Sequence, residues 1–164
     1  MFDVVLFVWG VMTKPGSATI ALNKRARFEY HLDETVEAGI ALEGWEVKAL
    51  RAGKIQFGES YVLIKRGQAY LFGCLITPLV STSTHTHADP MRTRPLLLHR
   101  REIDRLVGLV ERKGFTLIPT AMYWKRGKVK VEIAVARGKQ THDKRRTEKD
   151  RDWERQKGRL LRQK

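Results

Sequence analysis

The 164-residue chain carries 32 Lys and Arg against 18 Asp and Glu, a formal charge of +14, and 42% of its residues are apolar. That is enough for one compact domain plus an appendage, and the charge makes a polyanion, either nucleic acid or an anionic membrane surface, the first partner to consider. A single cysteine, Cys74, excludes a disulfide framework and a cysteine-based zinc cluster and reads as a buried strand thiol in a reducing compartment, and no apolar run reaches the roughly 18 residues that span a bilayer.

Residues 1–12 (MFDVVLFVWGVM) are apolar, but they lack the basic flank of a secretory signal. Because the stretch from Met12 to Gly16 looks like a natural start, residues 1–11 read as an upstream mis-start or an appended segment, with a small extra strand or an oligomer contact as alternatives, and residues 1–16 are set apart as an N-terminal extension. Phe28, Tyr30 and Leu32 alternate with Glu29, His31 and Asp33, which predicts a half-buried strand, and a second short strand fits 38–42. Residues 45–51 end at Ala52-Gly53, so a two-turn helix closed by glycine follows. Residues 61–64 and 69–76 are β-forming runs around Lys65-Arg66-Gly67-Gln68, a hairpin in which Gly67 supplies positive φ. A polar loop is expected over 77–95.

From 99 to 113 the residues Ile103, Leu106, Val107 and Val110 form the stripe of an amphipathic helix ending at Gly114. Residues 115–124 and 129–136 make a last hairpin around Lys125-Arg126-Gly127-Lys128, with Val129, Val131, Ile133 and Val135 alternating with more polar positions. The predicted fold is therefore mostly β with helices: a small closed antiparallel barrel of the OB type over 17–136, a flanking amphipathic helix, and a basic C-terminal tail over 137–164. Residues 21–136 hold 19 basic and 12 acidic residues, whereas the 28 residues of the tail hold 12 and 5. Its apolar side chains are Trp153, Leu160 and Leu161, too few to offset the ordering entropy, so alone it is expected to be disordered. In a helix those three would share one face, which suits a tail that folds against RNA.

Chemistry at a catalytic centre finds little support. His85, His87 and Asp89 have metal-ligand spacing and resemble the start of a binuclear metallohydrolase motif, but Pro90 stands where such a motif needs another histidine, so a solvated loop is expected and no metal. Ser60, Ser81 and Ser83 lack a nucleophile elbow, Glu37 and Glu43 read as salt-bridge or RNA-donor partners, and no phosphate-binding glycine motif occurs. No enzyme activity, cofactor or small-molecule substrate is expected. What remains is a basic surface: Lys24, Arg25 and Arg27, then Arg92 and Arg94, then Lys125, Arg126, Lys128 and Lys130. Tyr61, Tyr123 and Trp124 can stack on bases, although the barrel core is the expected place for the two tyrosines.

Several strings taken in order resemble one family. They are Asn23-Lys24-Arg25-Ala26, Glu37-Ala38-Gly39-Ile40, Gly44-Trp45-Glu46-Val47-Lys48, Leu50-Arg51-Ala52-Gly53-Lys54, Ser60-Tyr61, Asp89-Pro90, Arg92, Arg94, Leu96-Leu97-Leu98, Gly138-Lys139 and Asp143-Lys144-Arg145. Together they are similar to the SsrA-binding protein (SmpB) family, the partner of transfer-messenger RNA. The resemblance implies an OB-type barrel that binds the tRNA-like domain of that RNA and delivers it, in the cytoplasm, to ribosomes stalled on messages without a stop codon. It implies an RNA-binding face including Asn23, Glu37, Leu97 and Lys130, joined from the charge reading by Lys24, Arg25, Arg92, Arg94 and Lys128. It also implies a tail, disordered alone, that becomes helical in the empty message channel. There Gly138, Lys139, His142, Asp143, Lys144 and Arg145 would meet ribosomal RNA, and Trp153, Leu160 and Leu161 would dock. Ala49 and Pro95 depart from the family pattern, at the cost of one hydroxyl and one charge. A generic single-strand binder is the other reading.

Overall fold

The computed structural model describes residues 17–82 and 87–162, so the expectations for residues 1–16, for Ser83 and for His85 lie outside the described residues. The chain opens with strand β1 (Ser17–Leu22), then helix α1 (Lys24–Glu29) and the long strand β2 (Tyr30–Ile40). Asn23 decides this start. Its side-chain oxygen accepts from Ala26 N at 3.1 Å and caps α1, while its amide donates to Pro119 O at 3.0 Å. Phe28 is thus helical rather than the first residue of a strand, and the two strands expected over 28–33 and 38–42 are one strand with a bulge between Leu32 and Glu34.

Helix α2 (Gly44–Arg51) ends as expected, with Gly53 at φ 71°. Two-residue strands β3 (Ile55–Gln56) and β6 (Leu75–Ile76) pair with each other; the hairpin β4 (Tyr61–Lys65) and β5 (Gln68–Phe72) lies between them. Arg66 and Gly67 both have positive φ, the geometry of a primed hairpin turn. Gly73 (φ 68°) explains why the single run expected over 69–76 is two strands: a Cβ there would lie 2.8 Å from Glu59 O, so only glycine admits the bend. Strand β7 (Arg94–Leu97) takes its first two residues from the predicted loop. Helix α3 (Arg100–Lys113) closes on Gly114 in the left-handed region, then come β8 (Thr116–Lys125), β9 (Lys128–Gly138) and helix α4 (Thr141–Arg162).

The protein is mostly β with helices. Strands pair antiparallel in the order β1-β8-β4-β5-β7-β2-β9, and β8 also pairs with β9, so six strands close a ring with β1 outside on β8. Alternation turns Val131, Ile133, Leu71, Ala38 and Leu96 inward, and Leu106 of α3 and Leu50 of α2 complete that core. A smaller cluster of Ala26, Ile118 and Ala136 fastens α1 to the outside of β8 and β9. Cys74 is buried in the core, where burial pushes its thiol up to about 11.

The tail, expected to be without fixed structure on its own, stands here as helix α4. Lys139 N donates to Glu29 O at 2.8 Å and its ammonium to Arg27 O at 3.0 Å, His31 meets Asp143 at 3.3 Å, and the Arg151 guanidinium lies 5.6 Å from the Phe28 ring. Its first half therefore rests on α1, and beyond Arg151 the described side chains point almost entirely to solvent.

Candidate nucleic-acid interface

The strand register assembles one outward face from distant parts of the chain. Leu97 of β7 is opposite Gly39 of β2, Gly39 is opposite Lys130 of β9, and Lys130 is opposite Tyr123 of β8, a row across four strands that spans about 14 Å. Leu97 is 59% exposed, so it is a surface side chain and not part of the core. Gly39 makes its position possible, because a Cβ there would lie 3.1 Å from Leu97 Cβ. An open groove of about 1010 Å³ runs along this face, lined among others by Glu37, Leu97, Lys128 and Lys130.

Glu37 is held in place. Tyr123 donates its hydroxyl to Glu37 Oε2 at 2.5 Å, and the Lys125 ammonium reaches both carboxylate oxygens at 2.9 Å. Burial and the adjacent carboxylate push the Tyr123 hydroxyl well above the usual phenol range, so it remains a donor at every physiological pH. A fixed carboxylate can accept from base or ribose donors, and Lys128, exposed at the turn, and Lys130 beside it can meet phosphate. Four of the residues expected on an RNA-binding surface, Glu37, Leu97, Lys128 and Lys130, thus fall together.

The others are placed differently. Lys24 and Arg25 are exposed on α1, where Arg25 pairs with Glu29 and Glu59, and Asn23 is buried as the cap that orients them. Arg94 is a correction: it is 0% exposed, its Nε donates to Glu46 Oε1 at 2.6 Å, and its Nη1 donates to Cys74 O at 2.6 Å. Four of its five N–H groups are engaged by Glu46, Cys74, Arg92 and Pro90 inside the protein, and its burial keeps it from a phosphate. Arg92 joins the same cluster through Glu46 Oε2 at 2.6 Å and Ala41 O at 3.2 Å, though it is partly exposed. Burial alone would raise the Glu46 carboxyl, but its hydrogen bonds to Arg92 and Arg94 and the Glu43 backbone outweigh this and hold it below its ordinary value.

Of the aromatic candidates, Tyr123 is buried, but on the outward face against Glu37 rather than in the barrel core, Trp124 is half-buried, with Arg51 5.8 Å from its ring, and Tyr61 is exposed. In the tail, Gly138 ends β9, Lys139 braces α1, and His142 lies in the first turn of α4. Asp143 is partly shielded by His31, Lys144 is half-buried, Arg145 is exposed and Trp153 is 67% exposed. Leu160 and Leu161 fall in its last turns. His87 and Asp89 are exposed, and among the described residues no three metal-binding side chains converge. The residues missed in the sequence were Gly39, Tyr123 and Lys125 as supports of this face. The alternation of Tyr123 and Lys125 along one strand was a usable signal, whereas their meeting with Glu37 across β9 was not.

A closed sheet ring with surface lysines, Lys128 exposed and Lys125 and Lys130 half-buried, around a fixed carboxylate and an exposed leucine, followed by a basic helix, defines a small basic protein of the polyanion-binding class. The family model described as SmpB protein matches residues 20–163. The chain is 59% identical over 145 residues to the SsrA-binding protein of Alkalilimnicola ehrlichii, covering 88% of this chain and 91% of that one. It is 60% identical over 150 residues to that of Alcanivorax borkumensis, covering 92% and 94%. A chain from a solved structure described as "tmRNA-SmpB: a journey to the center of the bacterial ribosome" superposes with a TM-score of 0.61 at 46% identity, over 76% of this chain and 87% of that chain. The chain belongs to the SmpB protein family.

Proposed function

We propose that this protein is the RNA-binding adaptor that binds the tRNA-like domain of transfer-messenger RNA and delivers it to stalled ribosomes for trans-translation. The carrying observation is the family match over residues 20–163, which takes in both the ring and the tail. The partners named for its relatives, the SsrA RNA and, in the solved structure, transfer-messenger RNA and the bacterial ribosome, suit a chain of charge +14. It acts where ribosomes are, in the cytoplasm, and works by binding rather than catalysis.

The six-stranded ring with α3 entering before its last hairpin supports an OB-type barrel over 17–136. Glu37, Leu97, Lys128 and Lys130 form its RNA-binding face, with further contacts from Lys24 and Arg25 on α1, oriented by Asn23, and from Arg92. The tail over 137–164 is disordered in isolation and becomes a fixed helix in the empty message channel, where His142, Lys144 and Arg145 meet ribosomal RNA and Trp153, Leu160 and Leu161 dock. The sparse contacts of α4 beyond Arg151 support this division.

The test is competition binding to the tRNA-like domain against bulk tRNA and unrelated single-stranded RNA across a salt series. A preference that survives near-physiological salt is expected, because a folded shape is being read. Affinities that collapse together as salt rises would replace the adaptor with a generic single-strand binder.

A further inference from the structure

The outward face of the β4–β5 hairpin is aromatic where an exposed sheet face is ordinarily polar. Register pairs Tyr61 with Phe72 and Leu63 with Tyr70, while Val62, Ala69 and Leu71 on the alternate positions fill the core. Tyr61 and Leu63 are 43% and 41% exposed. The Tyr61 and Phe72 rings stack at 5.5 Å with planes 10° apart, and Tyr70 tilts against Phe72 at 6.4 Å. Basic side chains gather around the turn and over the ladder. The Lys65 ammonium lies 5.3 Å from the Phe72 ring, Arg66 occupies the turn, and the Arg100 guanidinium sits against Gly67. At the other end of the hairpin, Glu59, two residues before Tyr61, is paired with Arg25. The acids here, Glu59 and Asp104, are each engaged by an arginine. Flat rings beside cations fit a partner that is itself flat and anionic, an RNA base with its phosphates. The ladder also continues into the face already described, since Tyr70 is opposite Pro95 on β7 and Leu97 follows two residues on.

We propose that the Tyr61–Phe72 pair is a base-stacking platform for an unpaired loop base of the tRNA-like domain, flanked by Lys65 and Arg66 on phosphate. The inference rests on the function proposed above. Full-length protein is titrated with the tRNA-like domain carrying 2-aminopurine at one unpaired loop position at a time. Quenching at one of these positions is expected, and quenching at none overturns the platform; because this readout uses the unsubstituted chain, it decides the matter whether or not variants fold. In parallel, Tyr61→Leu should weaken binding about tenfold with the slope of affinity against salt unchanged, since no cation is removed. Tyr61→Phe should stay within about twofold, and Lys65→Ala should lower the salt slope by about one. Wild-type affinity in Tyr61→Leu, or a self-association in sedimentation that Tyr61→Leu abolishes, would make the patch something other than a base platform. If the unsubstituted chain shows no preference for the tRNA-like domain, the adaptor reading falls along with the platform; if that preference holds and Tyr61→Leu is silent, only the platform falls.

Discussion

Strand β9 and helix α4 are neighbours in sequence, separated by Lys139 and Gln140, and are held by different forces. β9 pairs with β2 on one side and β8 on the other, and Val131, Ile133, Ala134 and Ala136 are wholly buried. α4 has Asp143 in its first turn, where a negative charge meets the helix dipole, and many good helix formers, but after Arg151 almost nothing packs against it. The order of β9 is intramolecular, whereas α4 buries little of itself beyond Arg151, and a helix without a buried face is marginal in water. In the function proposed above, that difference divides the work: the ring presents a preformed surface, and the tail keeps its side chains for a second encounter.

The widest test of that division removes the tail. A chain ending at Ala136 should bind the tRNA-like domain within about twofold of the full chain but fail to support peptide tagging on stalled ribosomes, measured in a reconstituted reaction. Tagging at a normal rate would remove the proposed role of α4. In the ring, Arg94→Ala leaves buried Glu46 short of a partner and should cost about 3–5 kcal/mol in denaturant unfolding.

The same cluster sets a pH dependence. Because Glu46 is held below the ordinary glutamate value of 4.5, its contribution is present above that pH and is lost as pH falls through the lowered folded value. Melting temperature should drop there in the native chain, and less so in an Arg92→Met variant, where the depression is smaller.

Smaller effects sharpen the contrast. Gly39→Ala brings a methyl group to 3.1 Å from Leu97 Cβ, so the leucine must shift by a few tenths of an ångström, and affinity for the tRNA-like domain should fall severalfold while stability changes by less than about 1 kcal/mol. Trp153→Ala should change stability by less than about 0.5 kcal/mol despite removing the largest side chain of the tail, because that side chain is mostly exposed. A larger loss in thermal unfolding would mean that α4 is packed on the ring after all.

Elements with a local cause were legible. The stripe of α3 and its glycine stop, and the two Arg-Gly turns at 66–67 and 126–127, are written in a few adjacent residues. β1, α1 and β7 were not. α1 is too short to show a period and depends on Asn23 reaching both Ala26 and Pro119, and the Phe28–Tyr30–Leu32 alternation runs through its end into β2. β7 is four residues long, begins with an arginine that reads as surface, and exists because β5 and β2 pair with it from either side.

The candidate site divides the same way. The charge of +14, the separation of a basic tail from a balanced body, and the ordered strings that resemble the family are properties of composition and short spacing, which one chain displays without folding. That Leu97 faces out over Gly39, that Tyr123 and Lys125 hold Glu37, that Tyr61 lies outside and Arg94 inside, were decided by strand register and ring closure. A single strand's pattern tells which residues alternate, but pairing between strands far apart in sequence determines which side is the core, and burial then decides whether an arginine meets solvent or an internal carboxylate.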